Sequence, residues 1–390
     1  VKTKVLFTTS ISHFINDGNT WVLPTVYGFM VKYLGFSNLL VGLLGTIFFA
    51  LSALASPFVS YIADKTGKPL QAMSLGIILW GLGLIILGLG IKGDNLPIII
   101  LSVVISGVAS AFYHPLGASA LALTYQGSGG IALGINGAMG SAGRSLYPYI
   151  TLFLFDALKE NMSLDMIIIG IISMIFSFPS LIIKLTFTDD KKDSNKTSAR
   201  TPIYVVSILT IISLFRSIFT QGVSQFLTII LLQLLGFSYN SYLGLVITGI
   251  LAAAIIGQPL LGYLSDIAGR RLLQGVSTGG AVISFLLFIY THNLLWLPLF
   301  GFFTYSNFPL TLSLTSDLVP RNSTGLANAL VWGIGVTGGG AIGPLIVGFL
   351  SNVYGLVEAL LIVSIFGLLS ALMTPLIPRP PKRSKVPLFG

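Results

Sequence analysis

Twelve stretches of this chain are apolar over the length a helix needs to cross a bilayer. That requirement is about 20 mainly apolar residues. The stretches run over 5–33, 39–62, 70–91, 96–125, 131–156, 163–187, 202–235, 241–265, 272–292, 294–318, 325–353 and 355–377. Lipid offers no partners to backbone amides, so each stretch must satisfy its own, and the expected fold is all-α and polytopic. Only 8% of residues are charged and 54% are hydrophobic, against roughly 25% charged in a soluble domain. Such a chain cannot cover itself with a polar surface in water. The first stretch is expected to be a spanning helix and not a cleaved leader: it lacks a cleavage site and carries polar residues midway. The chain has no cysteine, which excludes disulfides, thiolate metal ligands and thiol nucleophiles.

Basic residues set the expected orientation. With the N-terminus inside, the cytoplasmic side holds sixteen: Lys2, Lys4, Lys65, Lys68, Lys184, Lys191, Lys192, Lys196, Arg200, Arg270, Arg271, Arg321, Arg379, Lys382, Arg383 and Lys385. The outside holds three, Lys32, Lys92 and Lys159. Excess Lys and Arg mark the cytoplasmic side, so both termini are expected in the cytoplasm of a plasma-membrane protein. Topology and contact with anionic lipid account for the formal charge of +9; nucleic acid is not an expected partner. Arg144 and Arg216 belong to neither side, because both fall within spans.

The polar segment "TDDKKDSNKTSAR", residues 188 to 200, reads as a flexible linker between two sets of six spans. The expected division is a six-helix bundle over 1–187, a cytoplasmic linker over 188–201, a second bundle over 202–378 and a cytoplasmic tail over 379–390. The halves repeat one another. "PFVSYIADKTGK" from residue 57 aligns with "PLLGYLSDIAGR" from residue 259, pairing Asp64 with Asp266, Gly67 with Gly269 and Lys68 with Arg270. Parallel six-helix repeats are a main design of secondary transporters.

The repeated D-[KI]-x-G-[KR] signature, between spans two and three and between eight and nine, resembles that of the major facilitator superfamily. Within it, "SHFINDGNTWVLPTVY" and "SAFYHPLGASALA" are similar to segments of the fosmidomycin-resistance group of drug exporters. The first signature copy departs from the pattern, with Ser60 for the leading glycine and Pro69 for a second basic residue. The resemblance implies two pseudo-symmetric six-helix bundles, alternating access, drug export and a monomer. It also implies gating by Asp64, Lys68, Asp266, Arg270 and Arg271 at the cytoplasmic helix ends, and a cavity lined by spans 1, 4, 7 and 10.

Polar periodicity points to the same four spans. Residues four apart share a helix face. Span one carries His13, Asp17 and Trp21; span four Ser102, Ser106, Ser110 and His114; span seven Arg216, Thr220, Ser224 and Thr228; span ten Asn307, Thr311 and Thr315, with Tyr305 nearby. Asp17, Arg144 and Arg216 lie about 20 Å into their spans at 1.5 Å per residue. Charges at that depth are costly and mark function by default. Two arginines against one aspartate leave a net +1, which an anionic substrate would neutralise, and the guanidinium fork suits a carboxylate- or phosphonate-like group. The expected substrate-binding set is Arg144, Arg216, Asp17, His114, Trp21, Tyr305 and Asn307. Protons are the expected coupling ion, carried by Asp17, His114 or His13. A structural Asp17–Arg144 pair joining spans one and five is the alternative reading, and the two are compatible. The small residues around Arg144 are expected to leave room for its side chain, and Gly130, Gly134 and Ala138, like Gly335, Gly339 and Gly343, to bring helices close.

Other classes fit less well. No HExxH, GxSxG or aspartate-rich motif points to an enzyme, and no phosphate loop points to ATP-driven pumping. No cofactor and no metal site is expected. The expected function is proton-coupled efflux of a small anionic or amphiphilic organic molecule. The rival is a proton-coupled uptake symporter for an organic acid or sugar phosphate.

Overall fold

The structure is a computed structural model that describes residues 2–125, 129–183, 202–320 and 323–380. The side chains of 64, 118, 122, 123, 129–131 and 325 are also outside the description. The expected linker over 188–201 and most of the tail over 379–390 therefore lie outside the described residues.

The described chain is helical throughout. Its elements are α1 (Lys2–Tyr33), α2 (Asn38–Thr66), α3 (Pro69–Lys92), α4 (Leu96–Thr124), α5 (Gly129–Ala157) and α6 (Met162–Ile182) in the first half. The second half holds α7 (Ile203–Gln225), α8 (Leu227–Leu234), α9 (Ser241–Ala268), α10 (Arg270–Thr291), α11 (Trp296–Tyr305), α12 (Asn307–Leu318), α13 (Thr324–Leu330), a π-helical stretch (Val331–Gly338), α14 (Gly339–Tyr354) and α15 (Leu356–Met373). Among the described residues, nine helices are long and apolar enough to cross a membrane. Three of the twelve expected spans fall outside that set: α1, α5 and the broken α11–α12 pair. The first two carry Asp17 and Arg144, and the third is divided into short pieces.

Local sequence explains the helix ends. Asn95 and Asn161 accept hydrogen bonds from the third amides of α4 and α6, Ile98 and Leu164, as N-cap residues do. The signature glycines sit where the chain leaves one span for the next. Gly67 has φ 64° and Gly269 φ 100°, a region that side chains with a β-carbon rarely enter. The duplicated glycine is thus a demand of the turn in both copies.

Two compact units make up the chain. The first comprises Val1–Asp190 with Gln225–Gly249; the second comprises Lys191–Ser224 with Ile250–Gly390. In the first unit α3 packs between α4 and α6, α2 packs on α4, and α1 lies against α5, α4 and α8. The α1–α5 approach is close because of glycine: a β-carbon on Gly143 would collide with the Phe14 carbonyl, one on Gly140 with the His13 ring, and one on Gly18 with the Tyr147 ring. A β-carbon on Gly134 would meet nothing within 4 Å. The close face of α5 is therefore offset from the one expected, and its small residues admit α1 as well as bordering Arg144. In the second unit, Gly335, Gly339 and Gly343 do form the expected contact face, against the backbone of α7 at Thr210, Leu214 and Ile218.

Span ten is broken at Ser306, between α11 and α12. Pro309 supplies the reason. It has no N–H for the carbonyl four residues earlier, that of Tyr305. By contrast, α4 runs unbroken through Pro115.

Candidate functional site

Asp17 lies at the middle of α1, fifteen residues from one end and sixteen from the other. Its carboxylate is the centre of an ionic cluster drawn from three helices. His13, one turn earlier, places Nε2 3.5 Å from Oδ2; His114 of α4 places Nε2 3.5 Å from Oδ1; and Arg144 of α5 places Nη2 3.8 Å from Oδ2. Asn16 donates to Oδ1 at 3.1 Å. Asp17 is 12% exposed and His114 46%, so the cluster is reached from the His114 side.

Neighbouring groups hold these side chains in place. The His13 ring sits 4.4 Å from that of Tyr113 in a stack. Its Nδ1 lies 2.8 Å from the backbone carbonyl of Asn136 and 3.0 Å from that residue's Oδ1. A carbonyl can only accept, so Nδ1 carries hydrogen and donates, and Nε2 is the atom turned to Asp17. Tyr113 donates its hydroxyl to the same Asn136 Oδ1 at 2.9 Å. Trp80 Nε1 donates to Asn16 Oδ1 at 3.0 Å, which fixes the amide that serves Asp17. Arg144 also reaches Ser141 Oγ at 3.4 Å.

Asn136, Asn16 and Trp80 were not among the expected site residues. One signal was available: Asn136, Gly140 and Arg144 recur every four residues along α5, a stripe as regular as that of span one. Trp21, one turn beyond Asp17, is 7% exposed and packs within the same unit. His13, Asp17 and His114 offer ligand atoms within 4.8 Å of one another, compact enough for a metal ion. The Arg144 guanidinium beside the same carboxylate opposes a second fixed cation, so the set suits protons and anions better.

Arg216 belongs to the second unit and has other neighbours. Its Nη2 donates to the carbonyls of Thr304 at 2.9 Å and Phe303 at 3.3 Å. Ser277 also donates to Phe303 O at 2.8 Å, and Gln258 to Tyr305 O at 3.0 Å. Three successive carbonyls at the break in span ten are thus served by side chains, as a helix interruption in lipid requires. Tyr305 and Asn307 flank that break. The Tyr305 hydroxyl meets Ser224 Oγ at 2.7 Å. Asn307 donates to Gln274 Oε1 at 3.1 Å and Ser277 Oγ at 3.2 Å, and accepts from Thr311 at 2.7 Å.

The expected gating residues stand at helix ends. Arg270 bonds Asp266 at 3.0 Å and also Asp317 of α12 at 3.1 Å. Asp317 was not anticipated; it is an isolated acid near the end of its span. Arg271 donates to the carbonyls of Ile377 at 3.0 Å and Pro375 at 3.4 Å. Lys68 is exposed at the start of α3, and the Asp64 side chain lies outside the description.

Helical spans in two related halves, with one ionic cluster at mid-span, define a polytopic membrane carrier. The Major Facilitator Superfamily profile matches residues 9–330 and again 209–389. The chain belongs to that superfamily and is a secondary transporter of small molecules, not an enzyme. It is 23% identical over 361 residues to the fosmidomycin resistance protein of Escherichia coli K12, covering 89% of this chain and 86% of that one. It is 24% identical over 359 residues to the MFS-type transporter YfnC of Bacillus subtilis 168, covering 88% and 86%. Its fold is similar to that of a bacterial homologue of the human lysosomal transporter Spinster, with TM-score 0.80, 16% identity and 96% of each chain covered. The nucleoside transporter NupG gives TM-score 0.76 at 14% identity, covering 96% and 99%.

Proposed function

We propose that this carrier exports a small anionic organic molecule in exchange for protons by alternating access, with Asp17 and Arg144 as its switch. The observation that carries the reading is the environment of one carboxylate. Asp17 is shared by a permanent cation and two imidazoles, all from different positions in the first unit. In the empty carrier the carboxylate neutralises Arg144. On the cytoplasmic side an incoming carboxylate, phosphate or phosphonate group displaces the ionised Asp17 from Arg144 and is carried outward. Once the anion has left, a proton from outside binds Asp17, directly or through His114 or His13, and is carried inward. Loss of that proton to the cytoplasm restores the Asp17–Arg144 pair and readies the site for the next anion. Proton and anion thus occupy the switch in alternate halves of the cycle.

Support for the export direction comes from similarity to a fosmidomycin resistance protein. Orientation rests on the positive-inside bias, which places both termini in the cytoplasm. Asp64, Lys68, Asp266, Arg270 and Arg271 are assigned to the cytoplasmic gate; the Asp266–Arg270–Asp317 bridge supports this for the second signature copy. Arg216, Tyr305 and Asn307 are assigned to the shape of span ten, which places substrate recognition chiefly on Arg144.

Reconstitution into proteoliposomes tests the reading. Anion efflux should accelerate when protons are more concentrated on the side they enter from, and reverse when the gradient is reversed. Flux that ignores both signs of the gradient contradicts it. Anion accumulation together with protons, moving the same way, identifies an uptake symporter instead.

A further inference from the structure

Asp165 stands in the first turn of α6 and is fully buried. Neither of its carboxylate oxygens has a hydrogen-bond partner among the described residues. The neighbouring first-turn amide, that of Leu164, is taken by Asn161 Oδ1 at 3.0 Å. An ionised carboxylate here would have neither counter-ion nor donor, a far costlier state than a neutral carboxyl.

The register of the helices shows what lies level with it. α1 and α6 run antiparallel, with Ser12 meeting Ser180 at 3.3 Å and, seven residues along each helix, Asn19 meeting Ser173 at 3.0 Å. Eight residues further along each helix, Tyr27 comes level with Asp165. Tyr27 is also fully buried, and its hydroxyl has no partner among the described residues. Tyr239, from the connection before α9, lies within electrostatic reach of Asp165. Its hydroxyl hydrogen is committed to the Thr25 carbonyl at 3.0 Å. Its ring packs at 5.2 Å from Phe155 and 6.0 Å from both Phe29 and Tyr33. Further charges lie about Tyr33: Asp156 at the end of α5, Glu160 in the turn that follows it, and Lys32 with Nζ 5.3 Å from the Tyr33 ring. No ion pair joins any of them to Asp165 among the described residues.

We propose that Asp165 is a second proton-binding residue of the carrier, neutral while the Tyr239 aromatic cluster covers it and ionised when that cluster parts from α1. The proton comes from water admitted at this end and returns to it; no other bond changes. The positive-inside orientation puts this end outside, where protons enter. The inference rests on the proposed proton coupling for its role in transport, but the protonation state itself is measured without transport.

Infrared spectra of the purified, substrate-free protein at neutral pH test it through the carbonyl stretch of protonated carboxyls. Wild type should show a band that Asp165→Asn lacks and that shifts in wild-type protein grown with isotope-labelled aspartate. Asp165→Ser serves if the asparagine variant folds poorly. Tyr239→Ala should diminish the band by admitting water. A wild-type spectrum identical to that of the Asp165 variants overturns the proposal, as does a full-strength band in Tyr239→Ala. Failure of a pH gradient to drive anion flux, with the band present and sensitive to Tyr239, rejects the proton-coupled function and leaves the assignment of the buried proton standing.

Discussion

The Arg144 guanidinium lies 3.8 Å from the Asp17 carboxylate, a full ångström beyond the roughly 2.7–2.9 Å of a direct charge-assisted hydrogen bond. The pair is electrostatic and loose. Asp17 sits on α1 and Arg144 on α5, whose separation is set by Gly140 and Gly143. A contact of this kind holds charges in balance without locking them together.

If Arg144 binds the anion through its fork, Arg144→Lys keeps the charge and loses the geometry. Substrate affinity should fall by about tenfold or more, the loss of one charge-assisted hydrogen bond. Expression and thermal stability should stay near wild type. Binding measured by calorimetry on purified protein checks both; unchanged affinity would mean that a point charge suffices.

Arg216 is predicted to behave differently. Arg216→Gln takes the side-chain donor from the Thr304 carbonyl and leaves the Phe303 carbonyl with Ser277 alone. Each unsatisfied group costs about 1–3 kcal/mol, so the melting temperature should drop clearly. Affinity, measured on the protein that remains folded, should change little. A selective loss of anion affinity with stability intact would return Arg216 to the substrate site.

These two arginines show what could be read from the sequence. Depth and charge singled out both, because intramembrane cations are rare whatever they do. What separates them is a backbone break, and the break follows from Pro309 acting on Tyr305 four residues earlier, with Gln258, Ser277 and Arg216 arriving from distant positions. Span composition, the repeat and the signature turns were legible because hydrophobic length and glycine conformation are local properties. The His13–Asn136 contact was not, because it depends on which faces of α1 and α5 meet across 123 residues of sequence. Asp165 escaped notice for a related reason. An acid near a span end reads as a boundary residue until its burial is known.

Proton coupling through His114 predicts that His114→Gln flattens the pH dependence of transport while the protein stays folded. Imidazole titrates nearer neutral pH than any other unperturbed side chain, and glutamine does not titrate. Rates across a pH series in proteoliposomes provide the check. A lower rate with an unchanged profile would shift the role to Asp17.

Close packing of α1 on α5 predicts that Gly143→Ala is destabilising. The new methyl would meet the Phe14 carbonyl, and overpacking of this sort costs about 1–3 kcal/mol. Gly134→Ala, with open space at the same helix, should be neutral in the same thermal-shift assay. Equal effects at the two positions would show that α5 does not approach α1 along the Gly140–Gly143 face.

The most direct test of the Asp17–Arg144 switch is the double substitution Asp17→Asn with Arg144→Gln, with stability and anion binding measured separately. Arg144→Ala alone deprives a largely buried carboxylate of its permanent counter-charge and should lower stability as well as affinity. Removing both charges relieves that strain. A purely structural pair predicts near-wild-type stability and near-wild-type anion binding in the double variant. The switch predicts recovered stability with binding still lost, because the guanidinium that receives the anion is gone; tight anion binding by the double variant would contradict it.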